Sequence, residues 1–202
     1  MNGADVVRRL SELPTPNIGD AMERLNVVDG AIASVWPGAR MAGRAFTVYV
    51  AGGDNLGIHE AIPQLSVGDV LVVNGQGATH RALIGELIAG RAAVQGCAGF
   101  VLDAAVRDVR DLQEMGFPVF ARSTTPAGPY RNGPFRVGEP VAIGSVVVRP
   151  GDVIIGDDDG VVVVPWEEAA AVAEAAEAKR DSEAHQRAEI EDRILPGHWQ
   201  PS

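Results

Sequence analysis

The sequence predicts an α/β fold, and three observations predict it. Valine is abundant, with 27 residues in 202, while aromatics make up only 5%, so the interior is built from β-branched aliphatics that favour strands. Apolar runs alternate with helical segments through the middle of the chain, the order that builds βαβ units and a parallel sheet. The 24 glycines show no Gly-X-Y period, so they are read as turn residues. At 46% hydrophobic residues the chain is too apolar for wholesale disorder, and its length suits one compact domain or a domain with an appendage.

The elements follow in order. Thr15-Pro16-Asn17 precedes apolar residues at Ile18, Ala21, Met22 and Leu25, which predicts a helix capped at Thr15 or Asn17. Alternation from Arg44 to Val50 predicts a strand ending at Gly52-Gly53, and His59 to Ile62 a short helix. Asp69 to Asn74 reads as a buried strand, Gly75-Gln76-Gly77 as a loop, Arg81 to Gln95 as a helix and Ala98 to Leu102 as a second strand. That unit should be parallel with a right-handed crossover. A helix from Val109 to Met115 and a strand from Pro118 to Arg122 continue it. After Pro126, Gly/Pro-punctuated valine runs at 146–149, 153–155 and 161–164 predict successive strands, and Trp166 to about Leu195 an Ala/Glu-rich helix without obvious core partners, of a kind that often packs on a neighbouring subunit.

Net charge is −10, which disfavours nucleic acid and anionic membranes as partners. From Trp166 to Ser202 nine acidic residues face four basic ones, so this segment carries half of the excess. Cys97 is alone, excluding an intrachain disulfide framework and fitting a reducing compartment. The N-terminus has no apolar h-region and no stretch approaches 18 apolar residues. A cytoplasmic protein is expected.

Several motifs carry chemistry. Asp157-Asp158-Asp159-Gly160 lacks the EF-hand glycine, since the sixth position is Val162, and is read as a hairpin turn. The four histidines have no H-x-x-x-H spacing, so structural zinc is not expected. Gly75-Gln76-Gly77 with Asp103 downstream suggests a dinucleotide fingerprint, but His80 stands where the third glycine belongs. Gly85 allows close approach to the backbone, with the amides of Leu87 and Ile88 beside it, or is a plain packing glycine. Asp103-Ala104-Ala105-Val106-Arg107-Asp108 follows a buried strand, so Arg107 and Asp108 lie at its carboxyl end, where open α/β sheets place ligands. A guanidinium there binds a carboxylate or enolate, and a carboxylate holds a hard cation; a surface ion pair or helix cap is the plainer alternative.

From about Asn17 to Pro165 the chain resembles the RraA-like family, which includes metal-dependent 4-hydroxy-4-methyl-2-oxoglutarate/4-carboxy-4-hydroxy-2-oxoadipate aldolases and regulators of ribonuclease E. The resemblance is carried by Gly85-Glu86-Leu87-Ile88, by Gly99 to Asp108, by Gly116-Phe117-Pro118-Val119-Phe120-Ala121 and by Gly156 to Pro165. It implies an α/β/β/α swivelling, phosphohistidine-domain-like fold over 1–165 with a C-terminal helical extension over 166–202, assembled as trimers or dimers of trimers with sites between subunits. It further implies that Asp108 binds Mg²⁺ or Mn²⁺, that Arg107 holds the keto oxygen and enolate, and that the backbone amides of Leu87 and Ile88 receive the pyruvyl carboxylate, with Gly85 beside them in the substrate site. Glu86, the catalytic candidate beside Arg107, occupies the acidic position separated from the Arg-Asp pair by 20 intervening residues, where members often carry Asp. Asp20 and Glu183 are the candidates for a neighbouring subunit's contribution.

The implied activity is a pyruvate aldolase acting on 4-hydroxy-2-oxo acids, with oxaloacetate decarboxylation through the same enolate. Enolates are stabilised by a lysine Schiff base or by a metal, and the chain's one lysine, Lys179, lies in the acidic tail where it should stay charged. The alternative is a regulator that binds ribonuclease E without catalysis. Methyltransferase chemistry lacks its glycine-rich loop.

Overall fold

The computed structural model describes residues 3–193; His198 and the last positions of the expected C-terminal helix lie outside the described residues. In chain order the elements are helices α1 (Gly3–Ser11) and α2 (Thr15–Ala21), strands β1 (Ala33–Ser34) and β2 (Met41–Val50), helix α3 (Leu56–Ala61) and strand β3 (Asp69–Ile84). Then come α4 (Glu86–Val94), β4 (Gly99–Val106), α5 (Val109–Glu114), β5 (Val119–Thr124), β6 (Phe135–Val137), β7 (Val141–Ile143), β8 (Val146–Val148), β9 (Val153–Asp157), β10 (Gly160–Val164) and α6 (Ala169–Arg193).

The main sheet has the order β1-β5-β4-β3-β2-β9-β10, with β6 added on β2. Strands β2 to β5 are mutually parallel, as the strand–helix alternation predicts, and β9 and β10 close the far side as an antiparallel hairpin. Ile58, Ala61, Ala89, Ala92 and Leu112 of α3, α4 and α5 pack against one face of the sheet with Leu71, Val73, Phe100 and Leu102. Val70, Val72 and Val101 point to the other face and meet Val141, Ile143, Val146 and Val148 of the β7–β8 hairpin. Strands β9 and β10 are buried on both sides: Ile154, Val161 and Val163 face that second core, while Val153, Ile155, Val162 and Val164 face α1, α2 and α6. Alternation along each valine run thus supplies two cores from one hairpin. The layers match the mixed α/β architecture expected of an RraA-type fold with a C-terminal helix. Among the described residues no helix is long and apolar enough to cross a membrane.

Four expectations need correction. The expected helix at Arg81 does not start there: β3 runs on to Ile84, pairing Ala78, Ala82 and Ile84 with Ala104, Ala105 and Val106, and the helix begins at Glu86. Gln76 and Gly77 adopt positive φ and insert extra residues as a bulge within the strand, so Gly75-Gln76-Gly77 is not a strand-to-helix loop. The N-terminal helix ends at Ala21 rather than continuing to Leu25, because Glu23, Arg24 and Asn26 have positive φ, and α1 precedes it. Helix α6 does have core partners in its own chain. Ala169, Val172, Ala173 and Ala176 form a buried stripe against α1 and α2, Arg9 Nη2 pairs with Glu177 at 2.6 Å, and Asn17 Nδ2 donates to Glu183 at 2.7 Å.

The acidic turn joining β9 to β10 is a hairpin, as expected, and one of its carboxylates has a structural task. Buried Asp157 accepts from the Thr15 amide at 2.9 Å, the Thr15 hydroxyl at 2.6 Å and the Asp159 amide at 3.0 Å, fixing the start of α2 on the hairpin. Thr15 therefore bonds across the chain instead of capping its own helix. Asp157→Ala should lower stability by about 2–4 kcal/mol, since it strands buried donors. Urea unfolding measures this; a loss under about 0.5 kcal/mol would show that water replaces the carboxylate freely.

Candidate functional site

The carboxyl ends of β3 and β4 finish side by side, with Ile84 opposite Val106, and Arg107 donates its amide to the Ile84 carbonyl at 3.0 Å. The next residue on each strand, Gly85 and Arg107-Asp108, therefore emerges at one place. A cavity of about 290 Å³ opens there between Ala82 to Gly85, the first turns of α4, Arg107-Asp108, Asn55 and His59 of the α3 region, and Pro129 with Arg131.

Asp108 sits in the left-handed region (φ 57°, ψ 41°), which Asp tolerates better than most residues and which turns the chain from β4 into α5. Its carboxylate accepts the Glu86 amide at 3.2 Å and lies 3.4 Å from Arg107 Nε. Gly85 makes this approach possible. A Cβ there would lie 2.1 Å from Asp108 Oδ2 and 3.0 Å from Arg107 Cγ, whereas its φ of −149° is open to any residue. The glycine is required for space, not for backbone freedom. At the start of α4 the Ile88 amide bonds back to the Gly85 carbonyl at 3.2 Å, while the Leu87 amide has no partner among the described residues. That leaves one free donor at the positive end of the helix dipole, beside Arg107.

The opposite wall is stitched together by buried polar groups. Asn55 is buried and donates Nδ2 to the Leu83 carbonyl at 2.9 Å. Asp54, also buried, accepts from the amides of Leu56 and Asn132; burial pushes its carboxyl up, but these amides and that of Gly133 outweigh this and hold it below the ordinary range. Arg81 stacks on Tyr130 at 4.0 Å and donates to the Gly128 carbonyl and the Tyr130 hydroxyl. Arg131, between these anchors, donates Nη2 to His59 Nε2. A guanidinium has no acceptor, so His59 takes this bond as the neutral Nδ1–H tautomer. Partial burial, then the charges of Arg131 and Arg91, push the His59 pKa below its ordinary value.

The structure brings Gly85, Leu87, Ile88, Arg107 and Asp108 to one cavity. Glu86 contributes its backbone amide to Asp108, but its side chain does not line the cavity. Asp20 and Glu183 lie elsewhere, on α2 and α6, joined by Lys179 Nζ at 3.3 and 3.5 Å, and Asp20 borders a separate cavity of about 390 Å³ with Arg24 and Asp159. Asp103 faces Arg122 at 2.5 Å, away from the cavity. Among the described residues no three His, Cys, Asp or Glu side chains converge on one point as a metal cage would. Sequence reasoning missed Asn55, His59, Arg91 and Arg131. Only the buried Asp54-Asn55 pair left a trace, as polar residues between a Gly-Gly turn and an apolar helix.

The sequence model of the family described as "RraA-like: Aldolase/RraA" matches residues 15–163. A relative from Halalkalibacterium halodurans, described as a putative 4-hydroxy-4-methyl-2-oxoglutarate aldolase, is 38% identical over 95% of this chain and 91% of its own. Among solved structures, an uncharacterized protein from Pseudomonas syringae superposes with a TM-score of 0.86 at 28% identity, covering 95% of this chain and 91% of that one. RraAS2 of Streptomyces coelicolor, described as an unusual member of the RNase ES inhibitor RraA protein family, gives 0.80 at 26% identity over 92% and 98%.

Two outcomes follow from this geometry. Gly85→Ala should displace the Asp108 carboxylate and lower stability by about 1–3 kcal/mol; an unchanged unfolding midpoint with Asp108 in place would show that the loop yields without strain. The His59 ring protons, followed by NMR, should titrate with a midpoint below 6.5. A midpoint above that value would mean that a carboxylate outweighs burial and the two arginines together.

Proposed function

The chain belongs to the RraA-like family, and we propose that it is a divalent-metal-dependent pyruvate aldolase. It cleaves 4-hydroxy-4-methyl-2-oxoglutarate or 4-carboxy-4-hydroxy-2-oxoadipate to pyruvate and a second 2-oxo acid, and decarboxylates oxaloacetate as a side reaction. The observation that carries this reading is the meeting of Arg107, Asp108 and the free Leu87 amide at the joined ends of β3 and β4.

Each group has a task. The Leu87 amide and the α4 dipole bind the carboxylate of the oxo acid. Arg107, partly exposed and held beside Asp108, presents its guanidinium to the keto oxygen and stabilises negative charge as the carbon–carbon bond breaks. Asp108 suits a hard cation that keeps several waters and takes few carboxylates from the protein, and Glu86 reaches Asp108 through its backbone amide alone. When bound, such a cation supplies Lewis-acid stabilisation of the enolate. Lys179 is no rival as a Schiff-base residue, because Asp20 foremost and Glu183 raise its pKa and it stands outside the cavity.

Separation of Asp20 and Glu183 from Arg107 within one chain supports a trimer, or a dimer of trimers, in which these carboxylates complete a neighbouring subunit's cavity. The tail does not separate enzyme from regulator, because RraAS2 matches 92% of this chain.

The test is pyruvate release from both hydroxy-oxo acids and from oxaloacetate, first with EDTA and then with Mg²⁺ or Mn²⁺. Release should require the cation, and Arg107→Ala or Asp108→Ala should reduce it by at least about 100-fold while the oligomer stays intact on size exclusion. No release from any substrate would overturn the reading in favour of a ribonuclease-binding regulator. Full activity in either variant would overturn the site.

A further inference from the structure

The cavity holds more positive charge than the reaction at Arg107 uses. Arg91, Arg107 and Arg131 line it, against one carboxylate, Asp108. This is unexpected in a chain of net charge −10. Among the described residues neither Arg91 nor Arg131, both exposed at the cavity rim, pairs with a carboxylate.

Their placement is ordered. Arg91 follows Leu87 by four residues, so it lies on the same face of α4, about one turn of ~5.4 Å from the free amide. Arg131 lines the same cavity from a segment pinned on both sides. Tyr130 before it exchanges backbone hydrogen bonds with Gly53 and Asn55, and Asn132 after it bonds to Asp54. His59 accepts from the Arg131 guanidinium, and Glu60 is the acidic group that acts on this histidine. Two guanidinium groups without a carboxylate partner therefore line the cavity that also holds the group that binds the oxo-acid end, and one of them is bonded to His59 in advance. Like charges lining one cavity repel each other, and the bond to a neutral histidine relieves little of that for Arg131, so an anion that bridges them is favoured.

We propose that Arg91 and Arg131 form a second anion clamp that takes the distal carboxylate of a 2-oxo dicarboxylate, and so set the preference for substrates charged at both ends. The inference rests on the reading of Arg107 and the α4 terminus as the oxo-acid subsite. The excess of two positive charges in the cavity matches a dianion better than a monoanion. Arginine suits the task because its planar fork meets a carboxylate with two hydrogen bonds.

The test is calorimetric binding of 2-oxoglutarate and of pyruvate to the full chain in Mg²⁺ buffer, with Arg91→Gln and Arg131→Gln. The native chain should bind 2-oxoglutarate more tightly than pyruvate, and each substitution should cut that preference about tenfold. Equal affinities in the native chain, or a preference that survives both substitutions, overturns the clamp. The pyruvate-release assay is read separately. A preference lost in the variants, with no release by the native chain, keeps the clamp and removes the aldolase; release with an unchanged preference keeps the aldolase and removes the clamp.

Discussion

The parallel register that sets Ile84 against Val106 is the constraint on which the rest of the site depends. It ends two strands at one level, so that Gly85 and the Arg107-Asp108 pair leave the sheet as neighbours. The left-handed backbone at Asp108 then aims its carboxylate at Gly85, and only a residue without Cβ leaves room for it. Three conditions meet there: a strand end, a strained φ and a missing side chain. Strain of that kind persists where the surroundings over-determine it, and here the Glu86 amide and the Arg107 guanidinium both hold the carboxylate in place.

Much of this was legible in the sequence, and the parts that were not share a cause. Parallel strands at 69–74 and 98–102, the acidic hairpin turn and the Arg107-Asp108 position follow from apolar runs and turn residues. The boundary at Gly85 does not. Ala82-Leu83-Ile84 is a short apolar run that fits a buried strand as well as a helix, and the choice is made by hydrogen bonding to β4 and to Ala127, which is non-local. Likewise the stripe Ala169, Val172, Ala173 and Ala176 is mostly alanine, so its helical period carries little hydrophobic contrast, and its burial against α1 and α2 shows only in the fold.

The opposite wall was illegible for a further reason. Asn55, His59, Arg91 and Arg131 come from three segments up to 76 residues apart, and no spacing rule relates them. What joins the segments of Asn55, His59 and Arg131 is a set of carboxylate and amide contacts around buried Asp54, a residue that does not line the cavity. Its carboxylate stays ionised because backbone amides replace the water it loses, and those amides belong to the segment that carries Arg131. A buried charge far from the chemistry thus sets the position of a charge at its edge.

Net charge alone misleads about what such a chain binds. Half of the acidic excess lies beyond Trp166, where α6 spends its carboxylates on Arg9, Asn17 and Lys179. At physiological ionic strength fields fade over about 8 Å, so an acidic helix and a cationic cavity do not cancel each other. An anion meets weak repulsion at a distance and strong attraction only once inside. Recognition of an oxo acid therefore resides in short-range geometry at Arg107 and the α4 terminus, and long-range steering adds little to it. This is why arginines, whose hydrogen bonds are directional, line a cavity in a protein with one lysine.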